Sequence, residues 1–586
     1  RENMTTPVVV KKEYYEVAGK KIPKPTGTRP ELRENEKLLM YTASVCPEDY
    51  RLLPAVIFER EGKVWIRRVC PEHGEFEELY WGDAELYKKA LKYEAPAQKI
   101  ENTNTTPQAP CPYSCGLCPL HKNQTALANL VATNRCDLSC WYCFFFAEKS
   151  GYVYEPTLEQ IRSMVRILRK QGPFHPNAVQ ITGGEPTLRK DLVEIVKLLR
   201  EEGITHVQLN THGITFARKW FEESFEAAVK YARELREAGV NTIYMSFDGV
   251  RPQSNGKNHW EVPYIFEVFR HANMTSVVLV PVVIKGVNTE ELGDIIKFAA
   301  MNMDIVRGVN FQPISITGSV PREIRRKIRI TIPDTIKLIE EQTDGDIPAE
   351  SWYTVPWTYT FSDFIEALSG RPTLKMSNNP ACGVATYVFP EFEKKDGKRI
   401  VKRFIPITSF VDVEALSDYL KEKTEDLRNG KSKIKVLLSL LWNIRKFIDS
   451  KKTPEGISLK KILLSIIFKR DYHSLGEFHY KSLFLGMMHF MDLYNYDVKR
   501  VERCNIHYLN PDGRIIPFCA FNVLSDLYRD YIQKEYSLPI EEWMKVKKEA
   551  PVGVEIKYRR NIKKLTSSEL YRKTYEYFGK KYGYLK

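Results

Sequence analysis

The chain has 586 residues, too many for one hydrophobic core, so two to four domains are expected. Hydrophobic residues make up 43% and aromatic residues 12%, which excludes an intrinsically disordered chain. A net charge of +14 favours an anionic partner, nucleic acid or a phospholipid surface, and a solvated Lys/Glu-rich surface accounts for it equally well.

The opening RENMTTPVVVKKEYY lacks the apolar core of a signal peptide, and no apolar run of 18 residues offers a spanning helix, so a cytoplasmic protein is expected. Repeated basic motifs and aromatic RNA-binding signatures are missing, so no nucleic-acid partner is expected. Eleven cysteines in such a chain point to metal or redox chemistry rather than to disulfides.

Residues 1–100 read as a small module. Strand-like runs at 54–58 and 64–66 lie between Cys46-Pro-Glu-Asp49 and Cys70-Pro-Glu-His73, and a helix follows over 84–93. Two such turns are the geometry of rubredoxin and zinc-ribbon sites. Cys46, Asp49, Cys70 and His73 predict one mononuclear ion, iron or zinc. Oxygen and nitrogen in place of two sulfurs push the preference towards zinc. The polar stretch ENTNTTPQAP, 101–110, reads as a linker.

Two cysteine triplets follow with the same C-x3-C-x2-C spacing: Cys111, Cys115, Cys118 and Cys136, Cys140, Cys143. Between and beyond them the pattern alternates. Strands are expected at 126–134, 178–182, 206–210, 242–247, 276–284 and 308–316, with helices at 158–170, 188–202, 220–238 and 289–301. Such alternation implies a parallel sheet with right-handed crossovers, and six units predict an open, partial barrel in the α/β class. After about 330 the alternation stops, and helices are expected at 434–449, 459–470 and 480–494.

Cys136 directly follows a strand, at the carboxyl end where α/β folds bind ligands. The next strand ends in Gly183, Gly184 and Glu185; paired glycines would expose backbone groups to a close ligand, and a carboxylate would accept bonds from an ammonium. Later strands end in Asn210-Thr211-His212-Gly213 and Ser246-Phe247-Asp248-Gly249, so polar groups gather at one rim. A structural zinc site is the alternative, but zinc wants four protein ligands and the triplet offers three.

RCDLSCWYC followed by ITGGEP resembles the radical S-adenosylmethionine (SAM) superfamily over roughly 125–320. The resemblance implies a partial (β/α)6 barrel. It implies a [4Fe–4S] cluster on Cys136, Cys140 and Cys143 that binds SAM and generates a 5′-deoxyadenosyl radical. It places Tyr142 near the adenine and Gly183, Gly184 and Glu185 at the SAM amino group. Asn210, Ser246 and Asp248 fall near the ribose or carboxylate.

Cys111, Cys115 and Cys118 follow no strand and are matched by no glycine pair. They are expected to hold an auxiliary [4Fe–4S] cluster whose fourth ligand comes from elsewhere or whose fourth iron is open. A zinc knuckle is the alternative. The turn Asn510-Pro-Asp-Gly513 would bring Cys504 and Cys519 together as a hairpin does. That region resembles the C-terminal auxiliary-cluster segments of many radical SAM proteins and implies a second auxiliary [4Fe–4S] cluster on Cys382, Cys504 and Cys519. Cys382 alone is also compatible with ordinary packing.

Three domains are expected: a metal-binding module with the first auxiliary segment at 1–125, the barrel at 126–330, and a mostly helical substrate-binding and auxiliary-cluster domain at 331–586. In its whole layout the chain is similar to the archaeal group that contains tetraether lipid synthase. That similarity implies an archaeal phospholipid substrate, joining of two sp3 carbon termini of its isoprenoid tails, peripheral membrane contact, and an electron donor such as ferredoxin or flavodoxin. The apolar, basic segments 435–448 and 460–470 and the Met-rich 484–494 would then face lipid; as ordinary core helices they need no lipid. The enzymatic alternative is a radical SAM methyltransferase acting on a pterin-type cofactor precursor. The non-enzymatic one is an electron-transfer or metal-stapled nucleic-acid-binding protein.

Overall fold

This computed structural model describes residues 7–144, 147–464, 473–548 and 550–586. The metal-bearing module is a four-stranded antiparallel sheet of β1 (Lys37–Val45), β2 (Leu52–Arg60), β3 (Lys63–Cys70) and β4 (Gly74–Trp81), followed by α1 (Ala84–Leu91). Asp83 caps that helix, its side chain accepting from Leu86 N–H.

The barrel follows the expected alternation. Its strands are β5 (Leu127–Thr133), β6 (Ala178–Gly183), β7 (His206–Thr211), β8 (Val240–Ser246), β9 (Val277–Val280) and β10 (Val306–Pro313), paired in parallel in chain order. Crossover helices include α2 (Leu158–Arg169), α3 (Leu192–Glu201), α4 (Phe225–Ala238), α5 (Val262–His271) and α6 (Leu292–Met301). The start of α2 shows why the sequence folds this way. Thr157 and Gln160 form a capping box, and Ile161, Met164, Val165 and Leu168 recur on one buried face.

The C-terminal third is mostly helical, as expected, but it also carries strands that join the barrel's sheet. It contributes a long hairpin, β11 (Gly383–Lys395) with β12 (Lys398–Pro406), and then adds strands to both edges of the barrel. β13 (Leu483–Met488) pairs in parallel with β10, with Val309 opposite Leu485. β14 (Ile506–Leu509) pairs in parallel with β5, with His507 opposite Ala128. The antiparallel β15 (Ile515–Pro517) follows, so Asn510–Gly513 does turn a hairpin. An open sheet leaves two rows of unpaired backbone groups, and these strands satisfy them. The expected helix over 480–494 is therefore a strand. LFLGMM is apolar throughout, and an all-apolar run does not distinguish a buried strand from a buried helix; the parallel partner decides.

α7 (Lys433–Asn443) is shorter than expected and exposes Ile434, Leu438 and Trp442 on one stripe. The expected helix over 459–470 begins as Leu459–Leu464, and 465–470 lie outside the described residues. No helix among the described residues is long and apolar enough to cross a membrane.

Buried ions clamp the N-terminal module to the barrel. Arg329 donates to Glu78 on β4 at 3.0 Å and to Asp492, just after β13, at 3.0 Å. Asp492 also accepts from the backbone N–H groups of Tyr494 and Ile316. All three side chains are at most 5% exposed. Removing the cation leaves buried Asp492 without its charged partner and Glu78 with Arg325 alone, at 3.2 Å, so Arg329→Met should lower the unfolding free energy by about 3 kcal/mol. Denaturant unfolding checks this, and a loss near zero would show that the clamp carries little.

Candidate active site and metal centres

The second cysteine triplet sits on the loop that leaves β5. The turn is set by close backbone approach: a Cβ at Gly183 would lie 2.2 Å from the Thr133 carbonyl oxygen, and one at Gly184 2.0 Å from that of Arg135. No side chain fits in either place, and Glu185 N–H donates to the same Arg135 carbonyl at 2.6 Å. The glycine pair thus presses the end of β6 against the cysteine loop, a packing role beside the ligand contact expected of it. The far side of the loop is braced by the C-terminal segment: Cys136 N–H donates to Gly553, and Lys557 donates to the Cys136 carbonyl at 2.9 Å.

Cys136, Cys140 and Cys143 face one cavity of about 200 Å³, together with Tyr142, Gly183, Gly184, Glu185, Asn210 and Ser246. Its walls also carry His212, Lys257, Gln312 and Phe490, which the sequence reasoning did not single out. Asp248 is not in the wall. It stands behind Tyr142, accepting from the tyrosine hydroxyl and from Val282 N–H, and so fixes the ring. Lys257 Nζ lies 3.4 Å from Ser246 Oγ and 5.0 Å from the Tyr142 ring centre. Withdrawal from water works against its charge, but Tyr142, Cys140 and Asp248 more than offset that and raise its pKa well above the usual lysine value.

Glu185 is buried and engaged. One oxygen accepts from the hydroxyls of Thr187 at 2.7 Å and Thr211 at 2.5 Å, the other from His212 N–H at 3.0 Å. His212 Nδ1 accepts from Ile214 N–H, so Nε2 carries the proton and donates to Asp137 at 2.7 Å. Arg218 completes the chain on Asp137 at 2.9 Å. Burial, then Asp137 and Glu185, raise the Cys136 thiol well above its usual pKa. Iron binds the thiolate, so loading this site releases a proton.

In the N-terminal module the predicted quartet closes. The ligand atoms of Cys46, Asp49, Cys70 and His73 all lie within 4.8 Å of one another. His73 Nδ1 is 3.4 Å from each sulfur and 3.6 Å from Asp49 Oδ2. A tetrahedron with bonds of about 2.0–2.3 Å has edges of about 3.5 Å, so one zinc-sized ion fits. Arg51 holds Asp49 in place through its N–H at 2.9 Å and its guanidinium at 3.4 Å.

Cys111, Cys115 and Cys118 line a separate, small cavity that also takes in His121. Cys382, Cys504 and Cys519 come within electrostatic reach of one another around Arg500, whose Nε donates to Cys382 Sγ at 3.2 Å. Tyr496, buried between these two groups, interacts electrostatically with Cys111, Cys115 and Cys519. Phe518, next to Cys519, stacks at 3.6 Å on Phe490 of the first cavity's wall. The three cysteine groups are thus neighbours in space, although Cys382 is far from the others in sequence.

A family model described as the radical SAM superfamily matches residues 130–299, and one described as the HMPTM N-terminal zinc ribbon domain matches 38–82. The chain is 47% identical over 517 residues to the 7,8-dihydro-6-hydroxymethylpterin dimethyltransferase of Methanocaldococcus jannaschii, spanning 86% of this chain and 97% of that one. It belongs to that enzyme's family, within the radical SAM superfamily. It is also 30% identical over 190 residues to a GTP 3′,8-cyclase of Limosilactobacillus fermentum, covering 31% of this chain and 53% of the cyclase. Among solved structures, methylornithine synthase is similar with a TM-score of 0.28 and 16% identity, covering 38% of this chain and 64% of that one.

Family membership carries the [4Fe–4S] cluster and SAM, and the ribbon match fits the metal-binding module. It overturns the expected place among lipid-coupling enzymes. The relative that spans nearly its whole length with this chain is named for methylating a pterin, so tail-to-tail joining of archaeal lipids is not the reaction and an archaeal phospholipid is not the partner. The argument for membrane contact falls with that substrate. The cysteine layout misled because it reports how cluster and SAM are held, and none of those residues recognises the acceptor. The apolar cavity lined by Ala385, Thr386 and Tyr387 of β11 and by Ile444, Phe447 and Ile448 shares no wall residue with the cysteine-lined one.

Cys46→Ala should empty the ribbon while leaving the iron content of the other sites unchanged. Arg51→Ala should weaken the ribbon's metal affinity about 10- to 100-fold, as loss of outer-shell support does. Elemental analysis and competition with a chromogenic chelator measure both. Unchanged affinity in the second variant would remove Arg51 from the site.

Proposed function

We propose that this chain is a radical SAM methyltransferase whose acceptor is a pterin-type precursor, 7,8-dihydro-6-hydroxymethylpterin or a close analogue. The observation that carries the proposal is 47% identity across 97% of the M. jannaschii dimethyltransferase. Cys136, Cys140 and Cys143 hold the [4Fe–4S] cluster, and SAM occupies the cavity they face. When bound, the cluster and SAM supply a 5′-deoxyadenosyl radical for hydrogen abstraction.

The chain's own groups bind and orient. Tyr142, held by Asp248, offers its ring to the adenine. Lys257 beside Ser246 offers a cation suited to a carboxylate. Asn210 and Gln312 offer amides to ribose or acceptor, and Phe490 walls the cavity off towards Cys519. Glu185, locked by Thr187, Thr211 and His212, presents a fixed negative charge beside Gly183 and Gly184, which suits the SAM amino group. Zinc fills Cys46, Asp49, Cys70 and His73. Two auxiliary [4Fe–4S] clusters sit on Cys111, Cys115, Cys118 and on Cys382, Cys504, Cys519. Metal binding with the first auxiliary site falls to 1–125, radical generation to 126–330, and acceptor binding with the second auxiliary site to 331–586.

The test is an anaerobic assay of reconstituted protein with reductant, the hydroxymethyl-dihydropterin and excess SAM, one molecule for the radical and a second as methyl donor, with a parallel arm that adds a reduced-pterin one-carbon carrier as donor. The expected products are 5′-deoxyadenosine and a methylated pterin, both read by mass spectrometry. Replacing Cys136, Cys140 and Cys143 together by Ala should bring both below detection. Formation of 5′-deoxyadenosine without any methylated pterin would refute the acceptor and leave the radical chemistry standing.

A further inference from the structure

We propose that His121 is the fourth protein ligand of the auxiliary cluster at Cys111, Cys115 and Cys118, bonding iron through Nδ1. The inference rests on the reading of that triplet as an iron–sulfur site.

His121 follows Cys118 by three residues and lines the same cavity as the three cysteines. It is 8% exposed. Its Nε2 lies 2.6 Å from the Cys504 carbonyl oxygen. A carbonyl only accepts, so Nε2 bears the proton and Nδ1 keeps its lone pair. Nδ1 makes no hydrogen bond to any described residue. This is the arrangement of a metal-binding imidazole: the distal N–H is anchored on a backbone carbonyl, which fixes tautomer and ring plane.

A neighbouring histidine supplies the contrast. His507 also donates Nε2–H to the Cys504 carbonyl, at 2.6 Å, but its Nδ1 accepts from Thr125 Oγ at 2.7 Å. Thr125 Oγ in turn accepts from Gln171 at 2.7 Å. Of two imidazoles on one carbonyl, the one away from the cysteines is saturated and the one beside them has a free lone pair. Ser114, which brings a side-chain oxygen to the same wall, already accepts from the N–H groups of Gln108 and Ala109.

Three sulfurs and a nitrogen would also suit zinc. The spacing in space argues otherwise. The ribbon quartet closes to within 4.8 Å, whereas no three of Cys111, Cys115, Cys118 and His121 do. A single ion draws its ligands together, and a four-iron cluster holds them apart. Ligation by His121 leaves no open iron for substrate, so this cluster would handle electrons. A neutral imidazole in place of a thiolate makes the site less negative and raises its reduction potential.

The test uses full-length protein in which Cys136, Cys140, Cys143, Cys382, Cys504 and Cys519 are all replaced by Ala; the Cys504 carbonyl survives that change. Reconstituted anaerobically and reduced, it should bind iron and show in pulsed EPR the strong 14N coupling of a directly bonded imidazole. His121→Ala should abolish the coupling. His121→Cys should keep the iron, lose the coupling and lower the midpoint potential. Because variants can misfold, the coupling is also sought in the unsubstituted protein carrying 15N-histidine, where the label should change it. Bound iron with no nitrogen coupling, or coupling that survives His121→Ala, overturns the ligand while leaving the cluster. No iron in the isolated triplet, with unsubstituted protein fully loaded at Cys136, Cys140 and Cys143, overturns the cluster reading and the ligand with it.

Discussion

The candidate site depends on one backbone contact. Gly183 and Gly184 lie against the carbonyls of Thr133 and Arg135 with no room for a β-carbon, and Glu185 N–H closes the contact. This packing welds the end of β6 to the loop that carries Cys136, Cys140 and Cys143. Three sulfurs on a loop would otherwise pay the entropy of being ordered each time they met iron. The polar chain from Glu185 through His212 to Asp137 and Arg218 extends the same weld to the next strand.

A second constraint comes from the open sheet. Six parallel strands leave two raw edges, and the C-terminal third covers both, with β13 beside β10 and β14 beside β5. These edge strands bring cysteines with them. Cys504 precedes β14 by two residues and Cys519 follows β15 by two, so closing the sheet also delivers the last cysteine group to the first. The Cys504 carbonyl, bonded by both His121 and His507, is where the two groups meet. One arrangement of the chain thus both covers the sheet edges and gathers the two cysteine groups.

Much of this was legible from the residues. The β/α alternation, the partial barrel, the cysteine loop after the first strand and the four-residue ribbon site all follow from local pattern. A strand-end position and a C-P-x-x turn depend on a few neighbouring residues. Other features were not legible. LFLGMM looked helical because apolar periodicity is lost in a run buried on all sides. Lys257 and Gln312 carried no signal, since a single polar residue in a loop acquires meaning only from what the fold sets opposite it. Asp248 was placed at the ligand and stands instead behind Tyr142. The acceptor was misjudged because metal-binding motifs are silent about substrate.

The sequence by itself determined that this chain builds a SAM-type cluster loop on a partial barrel and carries further metal-binding cysteines. Spacing of a few residues suffices for that, because ligand reach and strand-end geometry are local. Only the tertiary structure decided which cysteines are neighbours, that the glycine pair packs against the cysteine loop, and that His121 lines the first triplet's cavity with Nδ1 unbonded to any described residue while Nδ1 of His507 is bonded to Thr125. Those facts turn on atoms separated by dozens to hundreds of residues along the chain and a few ångströms in space, and no local pattern encodes such a distance.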